Sequence, residues 1–188
     1  WKAGLTIKPD KCQFGVKSVD YLGHTMSKEG FKPKTSLVEE VVKASPPTNK
    51  DEIKSFLGLA EYMGKYVPKF AERSGNMRQL LKKNTKFVWD DECNKEFEEI
   101  KKAICNAPHL GSYDPRRKTF VTTDASNKGL GATLSQLVDG KEKIIAFASR
   151  SLSKAEVNYS VVERGALACY WAVLHFKFYL WGMHFSIG

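Results

Sequence analysis

The chain has no long apolar run, no CxxC pair and no cluster of histidines. Each absence removes a class of protein. Without some 18–20 consecutive apolar residues there is no candidate membrane-spanning helix, and no signal-peptide pattern opens the chain. The expected setting is intracellular, cytoplasmic or nuclear. The four cysteines, Cys12, Cys93, Cys105 and Cys169, stand far apart. They read as free thiols of a reducing compartment and argue against a zinc site. There is no initiating Met: Trp1 stands first, and Gly188 closes the chain directly after a strand-like run. A piece of a longer polypeptide is therefore expected. Acidic residues are also short, 21 against 30 Lys and Arg, for a net charge of +9.

That excess is uneven. Residues 1–89 carry 17 basic against 9 acidic side chains, residues 90–106 carry 3 against 6, and residues 107–188 carry 10 against 6. A basic first half suits a polyanionic partner, most simply nucleic acid. A soluble basic surface with no partner fits the same charge. At 188 residues, with 42% hydrophobic and 12% aromatic side chains, the chain can form one sizeable domain or two small ones.

Residues 11–31 read as a β-hairpin, with Cys12–Phe14 as one strand, Val19–Met26 as the other and a turn through Glu29-Gly30. Ser36–Ala44 reads as a short helix stopped by Pro46-Pro47. Thr48 is the expected cap of the next helix, with Asp51 as its capping-box partner. Ile53, Phe56, Leu57, Ala60 and Met63 recur there at helical spacing. Lys54, Lys65, Lys69, Arg73, Arg78, Lys82 and Lys83 lie on the sides left over, with Tyr62 and Tyr66 among them. Cations interleaved with aromatics suit a nucleic-acid backbone, and a solvated basic face has the same spacing. A third helix follows Asp90-Asp91 and should bury Cys93, Phe97, Ile100 and Ile104. Residues 107–115, broken by Pro108, Gly111 and Pro115, mark a boundary.

Beyond it come three expected strands, 119–123, 131–137 and 143–149, the last two joined by Asp139-Gly140. Ser160 and Glu163 form a capping box opening a long helix. Val162, Ala166, Cys169, Val173, Phe176 and Leu180 are its expected buried stripe, and a fourth strand begins at His184. The pattern is α+β. Asp124, at the end of the first strand in Thr123-Asp124-Ala125-Ser126, is either a turn residue or the first ligand of a metal site.

Taken in order, seven motifs resemble the Pol polyprotein of gypsy-type LTR retrotransposons. They are Tyr21-Leu22-Gly23-His24, Ser55-Phe56-Leu57-Gly58-Leu59, Phe87-Val88-Trp89, Thr123-Asp124-Ala125-Ser126, Ala148-Ser149-Arg150-Ser151-Leu152-Ser153, Asn158-Tyr159-Ser160 and Tyr179-Leu180-x-Gly182. The resemblance implies the end of a reverse-transcriptase palm over residues 1–32, with a primer-grip-like hairpin at Tyr21, Leu22, Gly23 and His24. It implies a helical thumb over 33–106, and over 107–188 the first part of an incomplete RNase H-like domain. Its partners would be RNA–DNA hybrid or duplex nucleic acid and the rest of the Pol polyprotein, with no membrane. Lys54, Lys65, Lys69, Arg73, Lys82 and Lys83 would be nucleic-acid contacts.

The polymerase aspartate pair of that family, in a Tyr-x-Asp-Asp turn, does not occur in this sequence. Its ribonuclease H site uses several carboxylates because two Mg²⁺ ions about 4 Å apart need anionic oxygens to hold them. Asp124 matches the first of these. The second is expected at Gly165, where the family pattern has Glu, so the ligand is lost; Glu163, two residues earlier, is the alternative ligand if the register shifts. The remaining two would follow Gly188. Mg²⁺ is thus the cofactor of the parent enzyme, with weak or no binding expected here. The implied function is a reverse transcriptase/RNase H fragment that binds nucleic acid without catalysing on its own. The alternative is an inert RNase H-like connection or tethering module.

Overall fold

A computed structural model describes residue 4 and residues 6–188. Trp1–Ala3 and Leu5, the first residues of the expected palm segment, lie outside the described residues. The architecture is α+β, with a small three-stranded sheet, a layer of helices and a four-stranded sheet backed by a helix.

The small sheet is β1 (Ser18–Tyr21), β2 (His24–Ser27) and β3 (Gly30–Pro33), antiparallel in that order. Two of the sequence expectations fail here. Cys12–Phe14 is not a strand; Pro9–Lys11 forms one 3₁₀ turn, and loop follows. The run from Val19 to Met26 is not one strand either. Leu22 and Gly23 both take positive φ, 43° and 68°, which is a type I′ hairpin turn. A leucine at positive φ gives no local signal of a turn, since the left-handed region disfavours its Cβ.

The helical layer holds α1 (Thr35–Lys43), α2 (Lys50–Tyr62), α3 (Phe70–Arg73), α4 (Gly75–Leu80) and α5 (Asp91–Cys105). The expected stripes of α2 and α5 are buried: Ile53, Phe56, Leu57, Ala60 and Met63 on the first, Cys93, Phe97, Ile100 and Ile104 on the second. The cap of α2 lies one residue beyond the expected one. Asn49 Oδ1 accepts from Glu52 N at 2.9 Å, and the Glu52 carboxylate accepts from Thr48 N at 2.7 Å. Asp90 caps α5 through Cys93 N. Glu96, from the middle of α5, accepts from Asn76 N and Met77 N at the start of α4 and so fixes that short helix to the long one.

The large sheet is β4 (Thr119–Ala125), β5 (Gly129–Val138), β6 (Lys141–Ser151) and β7 (Phe185–Ile187), in the order β6-β5-β4-β7. The β5–β6 turn is the expected Asp139-Gly140, again with both φ positive. β7 runs parallel to β4. One sheet face meets α6 (Val161–His175) and α7 (Lys177–Leu180). Val121, Ala132, Leu134, Ala146 and Ala148 pack there on Ala172, Phe176 and Leu180. The other face meets the helical layer, with Ile144 and Phe147 against its core. The expected stripe of the long helix holds in its second half, where Phe176 and Leu180 are buried and Cys169 and Val173 half-buried, and fails in its first. Ala168 and Ala172 are buried in addition, while Val162 is 81% exposed and Ala166 also faces outward.

The expected boundary at 107–115 is a seam. Phe31 and Leu110 exchange both backbone hydrogen bonds at 2.8 Å, and Gly111 N donates to Ile144 O. Gln136, wholly buried in β5, gives its side-chain N–H to Asp114 O and Thr119 Oγ1 and accepts from Asp114 N. Every polar atom of that amide carboxamide is thereby occupied, as burial requires. Gly30, at φ 124°, lies so near the seam that a Cβ would stand 2.0 Å from Leu110 O. Gly30→Ala should lower stability by at least about 1–3 kcal/mol from backbone strain alone. Urea denaturation checks this, with Gly140→Ala as the comparison, since that site has positive φ and open space.

Candidate nucleic-acid interface and candidate metal centre

The Tyr21–His24 turn stands proud of the helical layer, with Tyr21 62% and Leu22 68% exposed. Two tyrosines hold it. Tyr62, at the end of α2, donates its hydroxyl to Leu22 O and stacks its ring parallel to His24, centroids 5.4 Å apart. Tyr66 Oη lies 3.1 Å from His24 Nδ1. Gly23 is required by this packing, because a Cβ there would meet Tyr62 at 2.8 Å. Tyr66 is fully buried, and burial raises its phenol well above the usual range. It is therefore a support of the turn, whereas the sequence placed it among the solvent-facing cations. Tyr62 keeps 48% exposure and serves both purposes.

The basic residues divide into two groups. Lys54, Lys82 and Lys83 are exposed and form no ion pair among the described residues. Lys65 is half-buried beside Tyr66, 5.2 Å from its ring centre, and burial lowers its ammonium pKa. Lys69 and Arg73 are engaged elsewhere. Lys69 pairs with Asp124, and Arg73 with Glu99 at 3.9 Å while also donating to Pro68 O. Lys54, Gly58 and Tyr62 recur at i, i+4 and i+8 along α2, one exposed stripe leading to the Leu22-Gly23 turn. Gly58 is a residue of this stripe to which neither charge nor helical periodicity points. It sits inside a helix, exposed, with nothing within 4 Å of where a Cβ would be. An exposed interior glycine that costs roughly 0.5–1 kcal/mol relative to alanine is the signal that marks it.

The residues expected around a metal lie apart in their bonding. Asp124 is neither a turn residue nor a free carboxylate. It sits within β4 opposite Gly131, and the turn belongs to Ser126, whose hydroxyl accepts from Lys128 N and Gly129 N. Thr123 faces α6, its Oγ1 3.4 Å from Cys169 Sγ. Strand alternation turns Asp124 to the other face, toward the helical layer, where Lys69 meets it. Glu163 accepts from Ser160 N at 2.7 Å, and Ser160 Oγ accepts from Glu163 N, so the expected capping box is present. Those bonds lower the Glu163 pKa. Gly165 has open space around it. No three His, Cys, Asp or Glu among the described residues are grouped to hold a metal ion. With one carboxylate paired to an ammonium, one capping a helix and none at 165, the donors present do not fit a two-ion Mg²⁺ centre.

The Ala148–Ser153 motif has structural work. Ser149 Oγ accepts from Ala71 N at 2.9 Å, joining β6 to α3. Arg150 grips Glu156 with two bonds of 2.7 and 2.9 Å and lies 5.8 Å from the Trp171 ring centre. That bidentate grip holds the Glu156 carboxyl down at about 2.

His24 supplies a pH dependence. Burial, then the neighbouring Lys65, lowers its pKa, so the folded turn favours the neutral ring. A folded value below the unfolded one of about 6.5 gives stability that is full above that value and lost as pH falls through the folded pKa. The His24 ring resonances should titrate below 6.5, together with loss of the Tyr62 stack, and His24→Asn should flatten the dependence.

A model of the RNase H-like domain found in reverse transcriptase matches residues 89–187. The chain is 40% identical over 186 residues to the retrovirus-related Pol polyprotein from transposon 297 of Drosophila melanogaster, covering 98% of this chain and 17% of that protein. It is 35% identical over 184 residues to that from transposon 412 of the same species, covering 97% and 15%. The Tf2-3 transposon polyprotein of Schizosaccharomyces pombe is 33% identical over 179 residues, covering 95% and 13%. The chain thus spans less than a fifth of the length of these relatives. Among solved structures, the foamy viral protease-reverse transcriptase in complex with RNA/DNA hybrid aligns with a TM-score of 0.78 at 22% identity, covering 91% of this chain and 23% of that one. The same viral protein in complex with dsDNA aligns at 0.79 and 22%, covering 92% and 36%. At that identity the likeness shows the fold alone, an RNase H-like α+β fold.

Proposed function

This chain belongs to the RNase H-like domains found in reverse transcriptase, and on that premise we propose that it is a nucleic-acid-holding segment of a gypsy-type retrotransposon Pol polyprotein. The reading divides it into the end of a palm (1–32), a thumb (33–106) and part of an RNase H-like domain (107–188). Its partner is an RNA–DNA hybrid or a duplex. The observation that carries this is the stripe of Lys54, Gly58 and Tyr62 running into the rigid Tyr21–His24 turn. Cations meet phosphates, the bare glycine lets a sugar-phosphate backbone approach the helix, and the tyrosine edge meets a sugar or base. The foamy viral neighbours, solved with dsDNA and with RNA/DNA hybrid, support the choice of partner.

In a parent enzyme of this family, bound divalent metal supplies activated water and charge neutralisation for hybrid cleavage. No step of that kind is assigned to the residues of this chain. They bind and position. The inert connection or tethering reading differs only in what the longer polypeptide does with the same surface, and the Lys69–Asp124 pairing favours it for the RNase H-like part.

Gly58→Ala separates binding from folding. It should stabilise the protein by roughly 0.5–1 kcal/mol in urea while weakening hybrid binding severalfold. An alanine variant that binds hybrid as tightly as wild type would remove the stripe from the interface. Binding should also fall linearly in log salt, with little sequence preference. Lys54→Gln should reduce the slope by about one, and a salt-insensitive affinity would contradict the phosphate contacts.

A further inference from the structure

Asp124, Gly131 and Ser149 are register partners across β4, β5 and β6. Their side chains therefore form one row on the face turned to the helical layer: carboxylate, bare position, hydroxyl. The segment 69–71 lies against that row. Lys69 Nζ pairs with Asp124 Oδ2. The lysine stem passes over Gly131, where a Cβ would stand 3.7 Å from Lys69 Cγ, an ordinary van der Waals distance. Ala71 N donates to Ser149 Oγ at 2.9 Å. Lys69 itself is held at φ 54°, directly before α3, which aims its side chain at the sheet. Only about 10 Å³ is left between Lys69, Glu72, Asp124, Ser126 and Gly131, and the Lys69 and Asp124 side chains are each about half exposed, 52% and 54%.

We infer that Asp124 is the docking acceptor for Lys69, fixing the register of the RNase H-like sheet on the helical layer, and that it is not a metal ligand in this chain. The inference rests on the fold and family reading above, and it concerns how the two halves are joined, not what they bind. The ammonium takes the place against the carboxylate that the family resemblance would give to a cation. Half-exposed ion pairs contribute little strength. Apolar packing of Ile144 and Phe147 on the helical core supplies the hold, and the pair sets alignment.

The test is a charge-swap cycle on the whole chain: Lys69→Gln, Asp124→Asn, both together, and Lys69→Asp with Asp124→Lys. Each single change should lower the folding equilibrium constant roughly 1.5- to 5-fold. The double change should be no worse than either single one, and the swapped pair should recover part of the loss. Titration with Mn²⁺, read by water-proton relaxation, should show no binding that depends on Asp124. Strictly additive single changes would overturn the inference. So would Mn²⁺ binding by the wild-type chain that Asp124→Asn abolishes. Hybrid affinity measured on the same wild-type sample judges the binding proposal separately: its absence would defeat that proposal while leaving the cycle intact.

Discussion

The pair of backbone hydrogen bonds between Phe31 and Leu110 is the constraint on which the arrangement depends. Each bond contributes about 0.5–1.5 kcal/mol net, but their placement matters more than their strength. They close the N-terminal hairpin onto the segment that leads into the large sheet. Leu110, 1% exposed, plugs the helical core from that segment, and Gly111 carries the connection on to Ile144 of β6. Hairpin, helices and sheet are thus referenced to one short stretch of backbone. Gly30 is the cost of that closeness, since no side chain fits between its Cα and Leu110 O. Lys143 adds to the seam by donating to Glu29 O at 2.7 Å.

From that seam the two faces of the large sheet take different roles. The face toward the helical layer is small and polar at one end, through Gly131, Ser149 and Asp124, and apolar at the other, through Ile144 and Phe147. It can hold a neighbouring unit in register. The opposite face is lined by Ala132, Ala146 and Ala148 and takes the helix α6 closely because those side chains are short. The outer side of α6 and α7 carries Val161, Val162, Tyr170, Leu174, Phe178 and Trp181, all exposed among the described residues. Apolar groups in that number rarely face water without reason.

Much of this was legible from the residues alone, and the failures have identifiable causes. The α5 stripe was correct because Cys93, Phe97, Ile100 and Ile104 alternate with charged residues on every other side, so only one face can be buried. The α6 stripe was right at Phe176 and Leu180 and wrong at Val162 and Ala166, because both faces are apolar and periodicity cannot rank two such faces. The α2 cap moved by one residue because Thr48 and Asn49 are adjacent capping residues, and Glu52 serves the box where Asp51 was expected. The turn at Leu22 was hidden because its conformation is imposed from outside, by Tyr62 gripping the Leu22 carbonyl. At the candidate site the single residues were readable and their partners were not. Nothing local to Lys69 or to Asp124 announces the other, and the pairing exists only once the sheet is docked.

The motifs that carried the family resemblance prove to do two kinds of work, and the chain treats them differently. Gly23 in the turn motif cannot be substituted without displacing Tyr62. Ser149 and Arg150 in the motif of β6 fasten the sheet to α3 and to Glu156. These residues hold shape, and each is fully engaged. At Gly165, the position that the family resemblance matches to a metal carboxylate, an added Cβ would meet no atom within 4 Å. Packing therefore places no steric demand for glycine on residue 165, whereas it places one on Gly23 and Gly30. A chain free to vary at residue 165 and fixed at its structural positions keeps the Lys54, Gly58 and Tyr62 stripe in place whatever stands at 165. Asp124, by contrast, is paired with Lys69 where the sheet meets the helical layer.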